Sequence, residues 1–186
     1  MSMEPLEQAI ASTRAVLSGV QPEKLTSATP CASWKVADVI NHIVGGQHFF
    51  AASVNGQPPA GDAPNFAEGD FMSAFDQGTA ASLGAFSADG AMDRIVHLPF
   101  GDMPGSAFAG IAATDTFVHG WDVAKATGQS TDLAPDLAAA LLEGARGFVS
   151  DSFRGPDGQA LFGPEQVAPA GSTNADQLAA FLGRST

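Results

Sequence analysis

Three residues of one segment have the types and the spacing of metal ligands. Asp115 and His119 stand four positions apart, and Asp122 follows three positions after the histidine. On a helix that turns by about 100° per residue, all three project from the same face. That face also carries four apolar residues, Phe108, Ile111, Ala112 and Ala126. The pattern therefore predicts two carboxylates and an imidazole on a buried helix face.

Buried carboxylates need a compensating positive charge, because an unpaired one costs several kcal/mol. Lys125 is the only lysine or arginine in the predicted helix, and it lies far from this face. Asp115 and His119 can bind one divalent cation, and a further imidazole would leave a coordination position for water, as in catalytic sites. Asp122, about 60° around the helix from His119, is expected to orient the imidazole. The alternative is a core histidine hydrogen-bonded to aspartate without metal. Three such groups on one face favour the metal.

The remaining ligand must come from another part of the chain, where three histidines are candidates: His42, His48 and His97. His42 and His48 lie on opposite sides of the apolar stripe of the second predicted helix, so periodicity does not choose between them. His97 lies in an irregular segment, where a solvated loop residue is the favoured interpretation. The same interpretation is the default for His48.

Apolar periodicity predicts an all-α protein of one domain, residues 1–186. The first helix ends before Pro22, the second runs from the N-cap Ser33 to about position 56, and a loop at 56–69 precedes a third helix near 71–86. An extended or irregular segment at 93–105 leads into the helix at 104–127, and a further helix follows Pro135. We expect a four-helix bundle at about 4–151 and a tail at about 152–186, with a short helix capped by Thr173.

Composition excludes several classes of partner. Eight basic and twenty acidic residues give a net charge of −12, so neither nucleic acid nor an anionic membrane is expected to bind. The chain lacks the run of about 20 apolar residues that a membrane span needs, and its acidic N-terminus does not resemble a signal peptide. Cys31 is the single cysteine, so no intrachain disulfide can form and a cytoplasmic location is predicted.

Three segments carry a family resemblance: Thr-Pro-Cys-Ala-Ser-Trp at 29–34, Asn-His-Ile at 41–43 and Asp-Thr-Phe-Val-His-Gly-Trp-Asp-Val-Ala at 115–124. They resemble the DinB-like superfamily, and most closely the metal-binding domain of mycothiol-dependent maleylpyruvate isomerases and mycothiol transferases. The resemblance extends from the first helix to about residue 150 and implies a DinB-like four-helix bundle. It also implies that His42, Asp115 and His119 bind the metal, with Asp122 behind them.

The resemblance has two departures. The isomerases carry glutamate where this chain has Asp115, and they have a separate C-terminal domain where only about 35 residues follow the bundle here. Isomerisation of maleylpyruvate itself is therefore not the expected reaction.

The function that these inferences favour is a metal-dependent thiol transferase or an isomerase-like enzyme. The metal would bind a small thiol, with mycothiol as the expected co-substrate, and lower its pKa for attack on a small electrophile. Zinc is the favoured metal, with iron, manganese and nickel as alternatives. Cys31 is interpreted as structural rather than as a nucleophile, and a monomer or homodimer is expected. The alternative function is a non-catalytic helical bundle that binds a metal or small ligand.

Overall fold

The computed structural model describes residues 2–57, 64–156 and 159–186, and these residues form a helical protein. Its helices are α1 (Glu4–Ser18), α2 (Val36–Val54), α3 (Phe71–Phe86), α4 (Gly105–Thr127), α5 (Pro135–Phe148) and α6 (Asn174–Phe181). Strands β1 (Ile95–Val96) and β2 (Met103–Pro104) pair as an antiparallel hairpin between α3 and α4. The all-α prediction and the extended segment before the fourth helix are both confirmed.

Helix α4 lies at the centre of the bundle, where it packs mainly against α1 and α2, while α2 also packs against α3. The close approach of α1 depends on Gly120, because a Cβ atom at this position would collide with the side chain of Thr13. The Thr13 hydroxyl donates a hydrogen bond of 2.8 Å to the carbonyl oxygen of Thr116. The small residue and this hydrogen bond together set the position of α1 along α4.

A buried polar network sets the position of α2 and α3 against α4. The side-chain amide of Gln47 donates to the Thr116 hydroxyl at 2.8 Å, and the Ser82 hydroxyl donates to the Gln47 carbonyl oxygen at 2.7 Å. All three residues are fully buried, and their mutual hydrogen bonds offset the cost of removing them from water. Since Thr116 follows Asp115 directly, the network also helps to place Asp115 opposite α2.

Helix α2 begins later than the sequence predicted. Its N-cap is Lys35 rather than Ser33, and the Asp38 carboxylate accepts a hydrogen bond from the Lys35 backbone N–H at 2.9 Å. The preceding residues form a loop closed by an antiparallel bridge between Ala28 and Lys35. Within it, the Thr29 hydroxyl donates to the Trp34 carbonyl oxygen at 2.8 Å. These contacts hold residues 31–34 as a loop beside α4.

The predicted loop at 56–69 is described in part, because positions 58–63 lie outside the described residues; Phe66–Glu68 form a 3-10 turn. Helix α4 ends as expected at Gly128, which adopts the left-handed conformation with φ of 78°. Among the described helices, none is long and apolar enough to cross a membrane.

The segment after α5 folds back against the bundle. Helix α6 packs on α5 and α4, and Thr173 caps it as predicted, accepting a hydrogen bond from the Asp176 N–H at 3.0 Å. Asp176 in turn accepts a hydrogen bond of 2.9 Å from the indole N–H of Trp121 in α4. Positions 157–158 of the predicted tail lie outside the described residues. The contacts of α6 bring the residues that follow this helix close to the face of α4 that carries Asp115, His119 and Asp122.

Candidate metal centre

The structure brings His42 of α2 together with Asp115 and His119 of α4. Asp115 Oδ1 lies 3.2 Å from His42 Nε2 and 3.5 Å from His119 Nε2, so one carboxylate oxygen faces both imidazoles. One ligand atom from each of the three residues lies within 4.8 Å of those of the other two. This group is the one that the resemblance implied, and its donor types are those of a divalent-metal site.

The face of α4 that carries Asp115, His119 and Asp122 is partly exposed to solvent near Asp115 and buried near Asp122. The side chains of His42 and Asp115 are 36% and 28% exposed, whereas that of His119 is 9% exposed and that of Asp122 is fully buried. The apolar residues of this face were expected to be buried throughout; Phe108 and Ala112 are buried, but Ile111 and Ala126 are only half-buried. The group therefore borders solvent on the side of His42 and Asp115.

Trp34 covers part of the same group from the loop before α2. Its ring centroid lies 4.9 Å from that of His42 and 5.7 Å from that of His119. The two imidazole rings are 4.4 Å apart and meet edge to face. The other tryptophan, Trp121, is fully buried in the core. Only Trp34 of the two thus forms an apolar wall against the imidazoles.

Asp122 has a counter-charge that the sequence did not reveal. Arg184, in the segment after α6, donates from Nη2 to Asp122 Oδ2 at 3.2 Å and from Nε to Oδ1 at 3.4 Å. The Cys31 thiol donates to Asp122 Oδ2 at 3.2 Å, and His119 Nδ1 lies 3.1 Å from the same oxygen. The counter-charge thus comes from outside the helix, whereas the sequence argument considered only the lysine and arginine residues within it.

Cys31, His119 and Asp122 form a second group whose donor atoms lie within 4.8 Å of one another. The guanidinium of Arg184 already supplies a positive charge there, since it contacts both Asp122 and Cys31 Sγ, the latter at 3.6 Å. A second cation would be repelled by that guanidinium. The group of His42, Asp115 and His119 is therefore the better metal candidate.

The other two histidines lie outside both groups. His48 is exposed on α2, and its ring stacks on that of Phe66 with centroids 5.9 Å apart. His97 pairs with Asp102 in the hairpin at 2.9 Å, with side chains 79% and 59% exposed. The default interpretation of each as a surface residue agrees with these positions.

Electrostatics favour ionised carboxylates around a protonated His119 when no metal is bound. Burial alone would raise the pKa of Asp115, but His42 and His119 hold it well below its usual range. Burial would likewise lower the pKa of His119, but Asp115, Asp122 and Cys31 raise it well above its usual value. The pKa of Asp122, which burial would raise, is lowered by Arg184 and His119.

The sequence signal for Arg184 was the need for a counter-charge at buried Asp122. That signal did not identify the residue, because 62 positions separate the two partners and any of the seven lysine and arginine residues outside the helix could have met the need. Cys31 was found as a residue, but its contact with Asp122 also depends on the tertiary structure.

Comparison with known proteins gives the family of the chain. Residues 6–124 match the family model described as the mycothiol maleylpyruvate isomerase N-terminal domain. Two uncharacterized proteins of Mycobacterium tuberculosis, from strains CDC 1551 / Oshkosh and ATCC 25618 / H37Rv, are each 39% identical over 188 residues, covering 98% of this chain and 98% of the relative. No solved structure matches the chain. The chain belongs to the mycothiol maleylpyruvate isomerase N-terminal domain family.

Proposed function

We propose that the protein is a metal-dependent thiol S-transferase or isomerase-like enzyme that uses mycothiol. His42, Asp115 and His119 are the proposed ligands of the divalent metal ion, and Asp122 orients His119. The observation that carries the proposal is the convergence of His42 Nε2 and His119 Nε2 on the single oxygen Asp115 Oδ1, at 3.2 and 3.5 Å.

The donor set fits a catalytic metal ion. Two imidazoles and one carboxylate are three protein ligands, which leaves a position for a substrate or water. His119 Nδ1 is held by Asp122 at 3.1 Å, so Nε2 is the nitrogen that faces His42 and Asp115. A carboxylate behind a ligand histidine is the usual arrangement at such sites, because it fixes the tautomer and the ring orientation.

The exposure of the group suits a site that admits a small molecule. His42 and Asp115 form its solvent-facing side, Trp34 forms an apolar wall, and His119 is buried. When bound, the metal ion supplies a Lewis acid that lowers the pKa of a coordinated thiol. Trp34 keeps water from one side of the imidazoles, which strengthens electrostatic interactions within the site.

The nucleophile is proposed to come from the co-substrate rather than from the protein. Cys31 is the chain's single cysteine, and its thiol is directed at Asp122 and Arg184. Its hydrogen bond ties it to Asp122 Oδ2, the oxygen that also contacts His119 Nδ1. A small external thiol can instead enter beside His42 and Asp115.

The remaining parts of the proposal follow from chemistry and composition. A site of two histidines and one aspartate suits zinc first, with iron, manganese or nickel as alternatives. Since the single cysteine cannot form an intrachain disulfide, we place the protein in the cytoplasm, where small thiols are kept reduced. The partners are a small thiol and a small electrophile, and the protein acts as a monomer or homodimer.

Metal content tests the site. We expect purified protein to bind about one equivalent of divalent metal at this site, and His119→Ala to lose it. His48→Ala is the matched control, because His48 is an exposed histidine of α2 outside the group, and it should retain the metal. Equal metal content in wild type and His119→Ala would refute the site.

Thiol consumption tests the activity. Metal-loaded protein is incubated with mycothiol and a panel of electrophiles, and the loss of free thiol is followed with time. We expect consumption that His119→Ala abolishes and His48→Ala retains. Metal binding without thiol consumption across a broad panel would instead favour a non-catalytic binding bundle. Spectra of the cobalt-substituted protein would then show whether protein ligands alone complete the coordination shell.

A further inference from the structure

We propose that Arg184 is a positioning residue of the metal centre, acting on His119 through Asp122. The segment after α6 would then be a functional part of the site rather than a terminal extension. The metal-affinity part of this inference rests on the proposed function, while its structural part concerns the metal-free protein and can be tested separately.

The contacts form a continuous chain from the arginine to the proposed ligand. Arg184 binds both carboxylate oxygens of Asp122, at 3.2 and 3.4 Å, and Asp122 Oδ2 lies 3.1 Å from His119 Nδ1. Two-point contact between a guanidinium and a carboxylate restricts rotation as well as distance. Because Asp122 is fully buried and Arg184 is 8% exposed, water cannot readily replace either partner.

The backbone around Arg184 is shaped to direct this side chain inward. Gly183 adopts a left-handed conformation with φ of 93°, and its backbone lies so close to Gly163 that a Cβ would come within 2.6 Å of the Gly163 Cα. The Arg184 N–H donates to the Ala179 carbonyl oxygen at 2.9 Å, and its Nη1 donates to that of Leu182 at 3.0 Å. Both the backbone and the guanidinium of Arg184 are therefore held by the end of α6.

The consequence for His119 concerns the orientation of its ring. Asp122 on its own could rotate about its side-chain bonds, since His119 and Cys31 both contact the same oxygen, Oδ2. The second oxygen, Oδ1, is the one that Arg184 Nε contacts. Arg184 thus fixes the carboxylate plane, and the fixed carboxylate keeps His119 Nδ1 occupied and Nε2 directed at Asp115.

The main variants are Arg184→Gln, which removes the charge, and Arg184→Lys, which keeps a charge but not the two-point contact. Metal affinity is measured by competition with a chromogenic chelator. We expect Arg184→Gln to bind metal at least about tenfold more weakly, as for other residues behind metal ligands. Arg184→Lys should show a smaller loss, and it carries the test if Arg184→Gln does not fold.

Arg154→Gln is the matched control for a general effect of loosening the C-terminal segment. Arg154 Nη1 donates to the Phe181 carbonyl oxygen at 2.7 Å, and its guanidinium lies 4.6 Å from the Phe181 ring centroid. It anchors the end of α6 without a contact to Asp122. We therefore expect a lower melting temperature but a metal affinity within about twofold of wild type.

A double-mutant cycle tests whether Arg184 acts through Asp122. In an Asp122→Asn background, Arg184→Gln should cause little further loss of affinity, because asparagine has a single acceptor oxygen and the two-point contact with Arg184 is already lost. If the losses of metal affinity caused by Asp122→Asn and by Arg184→Gln add up in the double variant, the inference is overturned. Wild-type affinity in both Arg184→Gln and Arg184→Lys would overturn it as well.

Nuclear magnetic resonance of metal-free protein separates this inference from the proposed function. In 15N-labelled wild type, the His119 Nδ1–H bond should give a protected proton–nitrogen signal, which Arg154→Gln retains and both Arg184 variants shift or lose. An unchanged signal in both Arg184 variants would refute the positioning role even if the protein binds metal. A wild-type protein that binds no metal but shows the expected signals would refute the proposed function alone.

Discussion

Substitution of Asp122 by asparagine isolates the charge of the buried carboxylate while keeping its shape. In wild type, Oδ2 accepts from three donors, on Arg184, His119 and Cys31, and Oδ1 accepts from Arg184 Nε. The asparagine should place its carbonyl oxygen at the Oδ2 position, where it keeps these three hydrogen bonds. Its amide NH2 group then faces Arg184 Nε, donor against donor, at the position that Oδ1 occupied.

The expected loss follows from the burial of the pair. Removing one partner of a buried ion pair costs about 3 to 5 kcal/mol, and the retained hydrogen bonds place Asp122→Asn near the lower value, about 3 kcal/mol. For a chain of 186 residues, about 2 to 4 °C of melting temperature correspond to each kcal/mol, so we expect a decrease of about 6 to 12 °C.

The assay is thermal and urea unfolding followed by circular dichroism, in the presence of a chelator so that metal binding contributes no stability. Asp76→Asn is the control: Asp76 also pairs with an arginine, Arg14, at 2.7 Å, but the two side chains are 45% and 52% exposed. Its melting temperature should hardly change, since exposed ion pairs contribute little. A loss below about 1 kcal/mol for Asp122→Asn would refute the argument that Arg184 depends on this carboxylate.

Further predictions concern pH and packing. Because the folded-state pKa of His119 is raised, its protonated form stabilises the metal-free protein below about pH 6.5, and this contribution is lost as the pH rises through the raised value. Metal binding needs the neutral imidazole, so melting curves recorded with and without zinc should diverge as the pH rises, and parallel curves would contradict this. Gly120→Ala should reduce the free energy of unfolding by about 1 to 3 kcal/mol, because the added methyl group collides with Thr13. Thr13→Ala should partly restore the stability of this variant. Unchanged urea unfolding of Gly120→Ala would count against the close packing of α1 on α4. Gly128→Ala should reduce the free energy of unfolding by about 1 to 2 kcal/mol, because the residue that ends α4 adopts a left-handed conformation that alanine disfavours. An unchanged urea midpoint would show that alanine is tolerated there.

Local patterns predicted most of the fold because they depend on neighbours within a few turns. The apolar periodicity of α1, α3 and α4 was sufficient to identify these helices, and Thr173 and Gly128 marked helix ends correctly. The start of α2 was wrong because Ser33, a good N-cap by type, belongs to a loop closed by pairing between Ala28 and Lys35. Such pairing competes with capping and is not visible in the residue types.

The sequence predicted those parts of the candidate site whose residues lie close together along the chain. Asp115, His119 and Asp122 share one helix, so their spacing alone placed them on one face. The choice of His42 came from the family resemblance, because the face of α2 that meets α4 depends on packing such as that of Gln47 on Thr116.

The sequence by itself determined that one helix carries two carboxylates and an imidazole on one face, because helix geometry relates positions three and four apart in any environment. It also determined that a buried Asp122 needs a counter-charge, because the cost of burying an ion is a property of the group. Only the tertiary structure decided which residues answer these requirements: His42 from α2 opposite Asp115, and Arg184 from beyond α6 against Asp122. The physical reason is that contacts between distant parts of a chain depend on how whole helices pack.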